Sequence, residues 1–334
     1  MKKVLESTRD LGFFEQERCK LDSSLPKEAV VLVAMYSVFV FMLLGYLAKK
    51  MRLLGDRQGN ILLGFLLNFA LPSAIFTGAY HSSVSLELLG LFALALACNL
   101  VAGALAFVFV SKVLRFGFAT ALTIAFLVSL HNTLFLGVPI VQGTLGEQAA
   151  HKAIVLDQFC TGLPLAILTP LLLSLSSRVK FRLRAVWVRL FANPLFLSML
   201  LAFVLKAMPF SIPELLLAPI LSLAACATPV ALFAIGVQLR FDFLRSQWVR
   251  VLIVLGFGMI ATPMLYLGVL YAFGIAVQEE HQIVLLEVAM PPLISAVAVI
   301  ARAGLDSKLA ISCIVVGVPI AAFSAPLWLY ISHL

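Results

Sequence analysis

Charged residues are scarce in this sequence, and their scarcity excludes an ordinary soluble protein. Only 12% of the 334 residues are Asp, Glu, Lys or Arg, whereas 62% are hydrophobic. A soluble domain is about 25% charged, because polar side chains must cover its surface. After residue 28 the sequence also lacks any long polar insertion. It therefore predicts a polytopic membrane protein that lies almost wholly in the lipid bilayer.

Signatures of catalysis and metal binding are also lacking. The five cysteines and five histidines are scattered, without a CxxC pair, an HExxH motif or another ligand spacing. No nucleophile–base pair of the kind that enzymes use is recognisable. The sequence therefore predicts no metal, no cofactor and no enzyme activity. The net charge of +8 lies mainly in short loops, which indicates membrane topology rather than nucleic-acid binding.

The sequence does not begin like a cleavable signal peptide. Residues 1–28 hold six Lys or Arg and six Asp or Glu, with no apolar stretch ahead of the first membrane window. We predict a polar N-terminal tail over residues 1–28, without chemistry of its own.

Long apolar windows make up the rest of the chain. A bilayer core about 30 Å thick needs roughly 20 apolar residues per helix. Windows of this length predict an all-α polytopic membrane protein with about ten transmembrane helices. We number these helices 1 to 10, at residues 29–48, 60–79, 86–110, 119–142, 151–175, 186–205, 214–237, 249–273, 282–301 and 309–332.

The positive charges between the helices support this count. The loops after helices 1, 3, 5, 7 and 9, counted with the first turn of the helix that follows, hold sixteen Lys and Arg residues, whereas the loops after helices 2, 4, 6 and 8, counted in the same way, hold only Lys152 and Lys206. Loops on the cytoplasmic side of a membrane are enriched in Lys and Arg. The positively charged loops are therefore predicted to face the cytoplasm, which places both termini on the extracytoplasmic side.

The two halves of the sequence resemble each other at an offset of about 157 residues. Lys49 precedes Pro72 by 23 residues, and Lys206 precedes Pro229 by the same distance. A second Lys–Pro spacing, of 18 residues, also occurs in both halves. We predict a first five-helix repeat over 29–177 and a second over 178–334. Because each repeat has an odd number of helices, the two are inverted, a construction typical of secondary transporters.

Helices 4 and 9 each carry proline near the middle of the span, beside small polar residues. In helix 4, Pro139 removes a backbone donor, and in helix 9 two consecutive prolines do the same. A lone transmembrane proline commonly only kinks a helix, but the matched position in both halves favours a binding site in broken crossover helices 4 and 9. The predicted substrate-binding residues are Asn132, Thr133, Pro139, Gln142, Pro291, Pro292 and Ser295.

Two carboxylic acids lie inside the predicted spans. Asp157 is in helix 5, and Glu287 precedes the proline pair of helix 9. Ionisable groups within a membrane are costly and commonly functional, so both are candidates for proton coupling. The alternative is an interfacial residue that faces water or makes a structural hydrogen bond. No run of carboxylates indicates a dedicated sodium site.

Several stretches resemble the auxin efflux carrier family. The run Asn132-Thr-Leu-Phe-Leu-Gly-Val-Pro139, followed by Gly146 and by Ile154-Val-Leu-Asp-Gln158, is similar to the motif of that family. Four further stretches resemble its bacterial branch of malonate and malate permeases, at residues 41–50, 68–76, 229–236 and 289–292. The resemblance covers residues 29–334, with the motifs in the right order.

The resemblance implies a ten-helix carrier of two parts. Helices 1, 2, 6 and 7 would form a scaffold that dimerises, and helices 3–5 and 8–10 a mobile transport part in which helices 4 and 9 cross. Substrate would bind beside this crossing. The sequence departs from the family where His131 stands in place of the proline of plant carriers. It also lacks the polar amide that relatives often carry near Pro292 and Ser295.

Two hypotheses for function follow. The first is a secondary transporter that moves a small organic anion, a carboxylate, across the membrane. It would work by alternating access of the elevator type, as a homodimer in the lipid bilayer. The second is a membrane-embedded sensor or receptor on a transporter fold. In either case we expect a multi-pass protein of the cell membrane, in a bacterial inner membrane.

The charge asymmetry makes the topology testable. A cysteine introduced at Ser177, in the positively charged loop after helix 5, should not react with a membrane-impermeant thiol reagent added to intact cells. A cysteine at Ser83, in the loop after helix 2, should react under the same conditions. Ready labelling at position 177 would overturn the predicted topology.

Overall fold

The structure is a computed structural model that describes residues 27–176, 182–209, 212–239 and 244–333. Over these ranges the chain is helical, without a β-strand. Most of the predicted N-terminal tail, the proposed labelling site Ser177 and the start of the second predicted repeat lie outside the described residues.

The helices follow the predicted windows, and we label them α1 to α10 accordingly, with a and b for the two parts of an interrupted helix. The first half contains α1 (Lys27–Lys50), α2 (Asp56–His81), α3 (Leu86–Val113), α4a (Phe118–Ser129), α4b (Thr133–Leu145) and α5 (Glu147–Ser176). The second half contains α6a (Leu183–Phe191), α6b (Pro194–Lys206), α7 (Glu214–Gln238), α8 (Arg245–Ala272), α9a (Glu279–Val288), α9b (Ala296–Arg302) and α10 (Ser307–Ser332).

Length and composition make several of these helices fit to cross a bilayer. Among the described residues, α2, α3, α5, α7, α8 and α10 are each long and apolar enough to do so, and α4a, α4b and α6b are shorter apolar helices. The predicted all-α membrane fold is therefore confirmed. The count of ten spans and the inverted repeat stay predictions.

Prolines inside the long helices are accommodated by wide turns. The helices contain π-helical turns, and four of the five among the described residues end two residues before a proline. A π turn widens the backbone where the proline ring would meet the carbonyl of the preceding turn. A proline in a span therefore need not end the helix. The four prolines are Pro72, Pro139, Pro164 and Pro263.

Helix 6 differs from its predicted window. The window 186–205 crosses an interruption at Ala192–Asn193, where the Asn193 side chain accepts a hydrogen bond from the Leu195 N–H (3.0 Å) and Pro194 begins α6b. Asparagine before proline is a favourable start for a helix. The 13 residues of α6b span only about 20 Å. The apolar window thus covers two helices instead of one.

The helices pack in two groups that meet around α4b and where α2 packs against α5. In the first group α1 packs along α7, and α2 packs against α6b and α7. At the α1–α7 contact a side chain at Gly45 would overlap the Phe233 carbonyl, and one at Gly236 would overlap the Met42 carbonyl. The second group contains α3, α4a, α5, α8, α9a and α10, and α4b lies between this group and α1 and α7.

Candidate functional site

Helices 4 and 9 are both interrupted in the middle of the protein. Helix 4 loses helical structure at residues 130–132, between α4a and α4b. Helix 9 loses it at residues 289–295, between α9a and α9b. We call these two segments together the crossing. Nearly all of their residues are buried.

The two segments of the crossing are joined through their backbones. The Asn132 N–H donates to the Pro291 carbonyl (2.8 Å), and the Leu293 N–H donates to the Leu130 carbonyl (2.9 Å). These bonds make a short antiparallel bridge in which His131 faces Pro292. A non-helical backbone at membrane depth persists only where protein or a wet cavity satisfies its polar groups. The bridge supplies two of those partners.

The bridge explains why proline fits at the centre of helix 9. In an antiparallel pair of strands, directly opposed residues alternate between hydrogen-bonded pairs and non-hydrogen-bonded pairs. His131 and Pro292 form a non-hydrogen-bonded pair, so the bridge needs no N–H from Pro292. Pro291 contributes only its carbonyl. The two prolines therefore keep the helix open without leaving N–H groups that need partners.

The interruption of helix 4 does not lie at its proline. Pro139 is buried within α4b, and the helix opens seven residues earlier, at Asn132. The π-helical turn Thr133–Gly137 accommodates Pro139, with the Val138 N–H bonded to the Thr133 carbonyl. The prediction that Pro139 marks the break in helix 4 was therefore wrong in position.

Asp157 is held at the start of α4b by several donors. Its carboxylate accepts hydrogen bonds from the Thr133 hydroxyl and from the Gln158 amide (2.7 Å), and the Leu134 N–H points to it as well. The Thr133 hydroxyl also lies 2.9 Å from that of Thr161. A helix N-terminus attracts negative charge through its free N–H groups. These hydrogen bonds can stabilise a carboxylate at Asp157, and they fasten α4b to α5.

Glu287 has the opposite surroundings. It is fully buried, and neither carboxyl oxygen finds a hydrogen-bond partner among the described residues. It lies in the last turn of α9a, the negative end of that helix, and Asp157 is near enough to repel a charge on it. Its carboxyl group lies where a side chain at Gly137 of α4b would be. A buried carboxylate in such a place is costly unless a proton or a cation neutralises it.

Three other buried polar groups near the crossing also have atoms without partners among the described residues. Asn132 has both its amide nitrogen and its amide oxygen unpaired, although its backbone is bonded. Gln158 leaves its amide oxygen unpaired, and His131 leaves Nδ1, while His131 Nε2 lies 3.3 Å from the Gly258 carbonyl of α8. Unpaired buried amides are rare and call for a functional explanation.

Comparison with known families decides what kind of protein carries this crossing. Residues 30–181 and again residues 176–329 match the family described as membrane transport protein. The chain belongs to the auxin efflux carrier family of membrane transport proteins. The resemblance of the sequence motifs is therefore confirmed, and the chain is a transporter rather than an enzyme.

Two archaeal relatives agree with this assignment. An uncharacterized transporter of Methanothermobacter thermautotrophicus is 29% identical over 298 residues, which are 87% of this chain and 95% of the relative. An uncharacterized transporter of Methanocaldococcus jannaschii is 23% identical over 313 residues, 91% of this chain and 98% of the relative. The carrier is thus a multi-pass membrane protein similar to these transporters along nearly its whole length.

The carrier brings together only some of the predicted substrate-binding residues. Asn132, Pro291 and Pro292 meet at the crossing. Thr133 is adjacent, but its hydroxyl bonds to Asp157, which gives it a structural use. Gln142 is exposed, more than two turns along α4b from the crossing. Ser295 is partly buried at the start of α9b and makes no capping bond with its side chain.

Sequence reasoning missed two contributors to the site of this carrier. Thr161 lies four residues after Asp157 on the same face of α5, and this spacing was a readable signal. Gly137 gives room to the carboxyl group of Glu287, which is 150 residues away in the sequence. No local pattern could have shown that contact.

The contact between Gly137 and Glu287 gives a test of the site geometry. We expect Gly137→Ala to destabilise the carrier by about 1–3 kcal/mol, because the added methyl group must displace a buried carboxyl group. Thermal unfolding in detergent measures the change. Gly90→Ala in α3 is the matched control, since a methyl group there meets nothing within 4 Å and should be neutral or stabilising. Equal unfolding temperatures for the two variants would contradict the geometry.

Proposed function

We propose that the chain is a secondary transporter that moves a small organic anion, a carboxylate of the malonate or malate class, by alternating access at the crossing of helices 4 and 9. The observation that carries the proposal is the crossing itself. Two interrupted helices are bonded to each other through their backbones, and the unpaired side chains of Asn132 and Glu287 are buried beside them. Binding sites between interrupted helices near the midplane recur in secondary transporters.

The packing of the helices supports an elevator-type movement. The proposed scaffold contains helices 1, 2, 6 and 7, which pack on one another, with α1 and α7 in close backbone contact through Gly45 and Gly236. The proposed transport part contains helices 3–5 and 8–10, held together by the bridge at the crossing. In the proposed mechanism the scaffold stays fixed in a homodimer while the transport part carries the crossing across the membrane.

Asn132 is the proposed donor to the substrate carboxylate. Its amide is fully buried at the start of α4b, where the helix N-terminus favours negative charge. Its backbone N–H is used by the Pro291 carbonyl, so the side-chain amide alone is free to bind a ligand. Hydrogen bonds from donors to a charged group are among the stronger ones in proteins.

An anion at this place requires compensation of charge. Asp157 and Glu287 are both acids, and no Lys or Arg is found among the buried described residues. Asp157 has the donors of a stable carboxylate, whereas Glu287 has none. We therefore assign Glu287 as the proton carrier and Asp157 as a positioning residue. The organic anion then moves together with a proton, which removes the charge on Glu287.

The two buried acids also support a second candidate, a small organic cation as substrate. An ammonium group could pair with an ionised Glu287 directly, without a proton. The two candidate substrates differ in the effect expected when Glu287 is replaced by a neutral side chain. If the substrate is an anion, its exchange should continue, whereas if the substrate is a cation, its binding should be lost.

The charge distribution supports the proposed setting in the cell. With the positively charged loops in the cytoplasm, both termini are extracytoplasmic, and the protein is a multi-pass component of the cell membrane, in a bacterial inner membrane. The proposed partners are the lipid bilayer, the small organic anion and a second copy of the chain.

Asn132→Ala tests the proposed binding site. Loss of a hydrogen bond to a charged ligand should lower substrate affinity about ten- to a hundredfold, without loss of folded protein. Uptake of radiolabelled malonate and related carboxylates into proteoliposomes measures it. Asn99→Ala is the matched control, since Asn99 is an equally buried amide with an unpaired oxygen on α3. Unchanged affinity in Asn132→Ala would disprove the assignment, and binding of carboxylates without any flux would favour the sensor hypothesis.

Glu287→Gln tests the proton coupling. In the wild type, a proton gradient should drive malonate accumulation, and uptake should fall as the external pH rises. The variant is permanently neutral, so it should still exchange malonate across the membrane but should neither accumulate it nor respond to pH. Proteoliposomes with and without a pH gradient separate exchange from accumulation.

Asp157→Asn is the contrasting variant. It places an amide where Thr133, Gln158 and Leu134 all donate, so it should lower the unfolding temperature, whereas Glu287→Gln should not. Gradient-driven accumulation that survives in Glu287→Gln would rule out Glu287 as the proton carrier.

A further inference from the structure

Two isolated lysines line one cavity away from the crossing. Lys152 and Lys206 are the only Lys or Arg residues in the loops after helices 2, 4, 6 and 8. They come from different parts of the chain, Lys152 from the start of α5 and Lys206 from the end of α6b. Both line a cavity of about 440 Å³ that is also bounded by Ser83, Ser85 and Glu280.

A second cavity adjoins the first. This second cavity, of about 320 Å³, shares Val84 and Lys206 with the first, and its remaining lining is mostly apolar, with Leu89, Phe159 and Phe203. The two together combine a polar part with an apolar part, as sites for small molecules usually do. We call them the lysine cavity.

The residues that line the lysine cavity carry a net positive charge. Lys152 forms an ion pair with Glu280 (2.7 Å), so these two charges balance. Lys206 donates to the Ser82 carbonyl instead, and within the described ranges no carboxylate pairs with it. The hydroxyl groups of Ser83 and Ser85 add neutral donors. One unbalanced ammonium group therefore faces the cavity.

The lysine cavity is close to the proposed substrate site. Lys152 precedes Asp157 by five residues, about 7.5 Å along α5. Glu280 precedes Glu287 by seven residues, about 10 Å along α9a. Phe159, in the apolar part of the cavity, directly follows Gln158, which bonds to Asp157. The cavity and the two acids beside the crossing therefore share the helices α5 and α9a.

We propose that the lysine cavity is a first binding site for the carboxylate substrate on the extracytoplasmic side, in which Lys206 provides the attracting charge and the Lys152–Glu280 pair tunes it. The inference rests on the proposed function, because it takes the transported molecule to be an organic anion. The cavity lies between two sets of elements. The α2–α3 loop and α6b, which carries Lys206, form one side, and α5, which carries Lys152, and α9a form the other. A movement of the transport part relative to the scaffold therefore opens or closes this site.

Charged thiol reagents test the cavity without any assumption about transport. Ser83 is exposed and lines the cavity, so Ser83→Cys places a thiol there. The background carries Cys19→Ser and Cys226→Ser, because the other three cysteines are buried. The rates of modification by a negatively charged sulfonate-ethyl and a positively charged trimethylammonium-ethyl methanethiosulfonate are compared. Their ratio reports the local charge, and malonate should slow modification by occupying the cavity.

The proposal predicts, for each variant, whether the ratio of the two modification rates rises or falls. Lys206→Gln should lower the ratio of negative to positive reagent about fivefold, the size expected for removal of one nearby unit charge in a wet cavity. Lys152→Gln should lower it too, because Glu280 is left unpaired, whereas Glu280→Gln should raise it. Protection by malonate should be lost in Lys206→Gln. A ratio that is the same in Lys206→Gln and in the parent would overturn the proposal.

This experiment separates failure of the cavity from failure of the proposed function. If malonate flux is normal but the ratio does not depend on Lys206, the cavity proposal is wrong and the function stands. If the ratio follows the three variants as stated but no carboxylate is carried in proteoliposomes, the anion-attracting cavity stands and the proposed function is wrong.

Discussion

The two backbone hydrogen bonds between helices 4 and 9 are the constraint on which the rest of this structure depends. An interrupted helix in a membrane leaves polar groups that water cannot satisfy. Here the Asn132 N–H and the Pro291 carbonyl satisfy each other, as do Leu293 and Leu130. Neither helix can move past the other without breaking both bonds. The segments therefore belong to one rigid unit, and a ligand bound beside them must move with that unit.

The same arrangement gives two similar side chains different surroundings. Asp157 lies at the start of α4b, where a hydroxyl, an amide and a backbone N–H all donate to it. Glu287 lies in the last turn of α9a, where carbonyl groups dominate and no donor from the described part of the chain reaches it. Pairs of acids in contrasting environments are typical of sites that handle protons. The polarity of the interrupted helices, rather than the chemistry of the acids, separates the structural role proposed for Asp157 from the proton-carrying role proposed for Glu287.

Much of the fold was predictable from the sequence, because a bilayer demands long apolar helices. Each predicted window contains helix, and the proline pair marks the interruption of helix 9. Proline did not mark the interruption of helix 4, because a π turn accommodates Pro139. The hydrogen bond between Asn132 and Pro291 could not be read from the sequence. Helix 6 was misjudged, because an apolar window does not reveal a short break at Asn193. The fit of Glu287 against Gly137 depends on tertiary packing alone.

The signs of the charges along the proposed path determine how anion and proton movement are coupled. Lys206 supplies unbalanced positive charge in the lysine cavity, whereas the groups beside the crossing are acids, with no Lys or Arg among the buried described residues. In the proposed mechanism an organic anion is attracted as far as the lysine cavity and repelled beyond it while Glu287 is ionised. Protonation of Glu287 removes its share of that repulsion, and Asn132 can then donate to the carboxylate. In this proposal the proton is a condition for movement of the anion from the lysine cavity to the crossing, so coupling needs no separate gate.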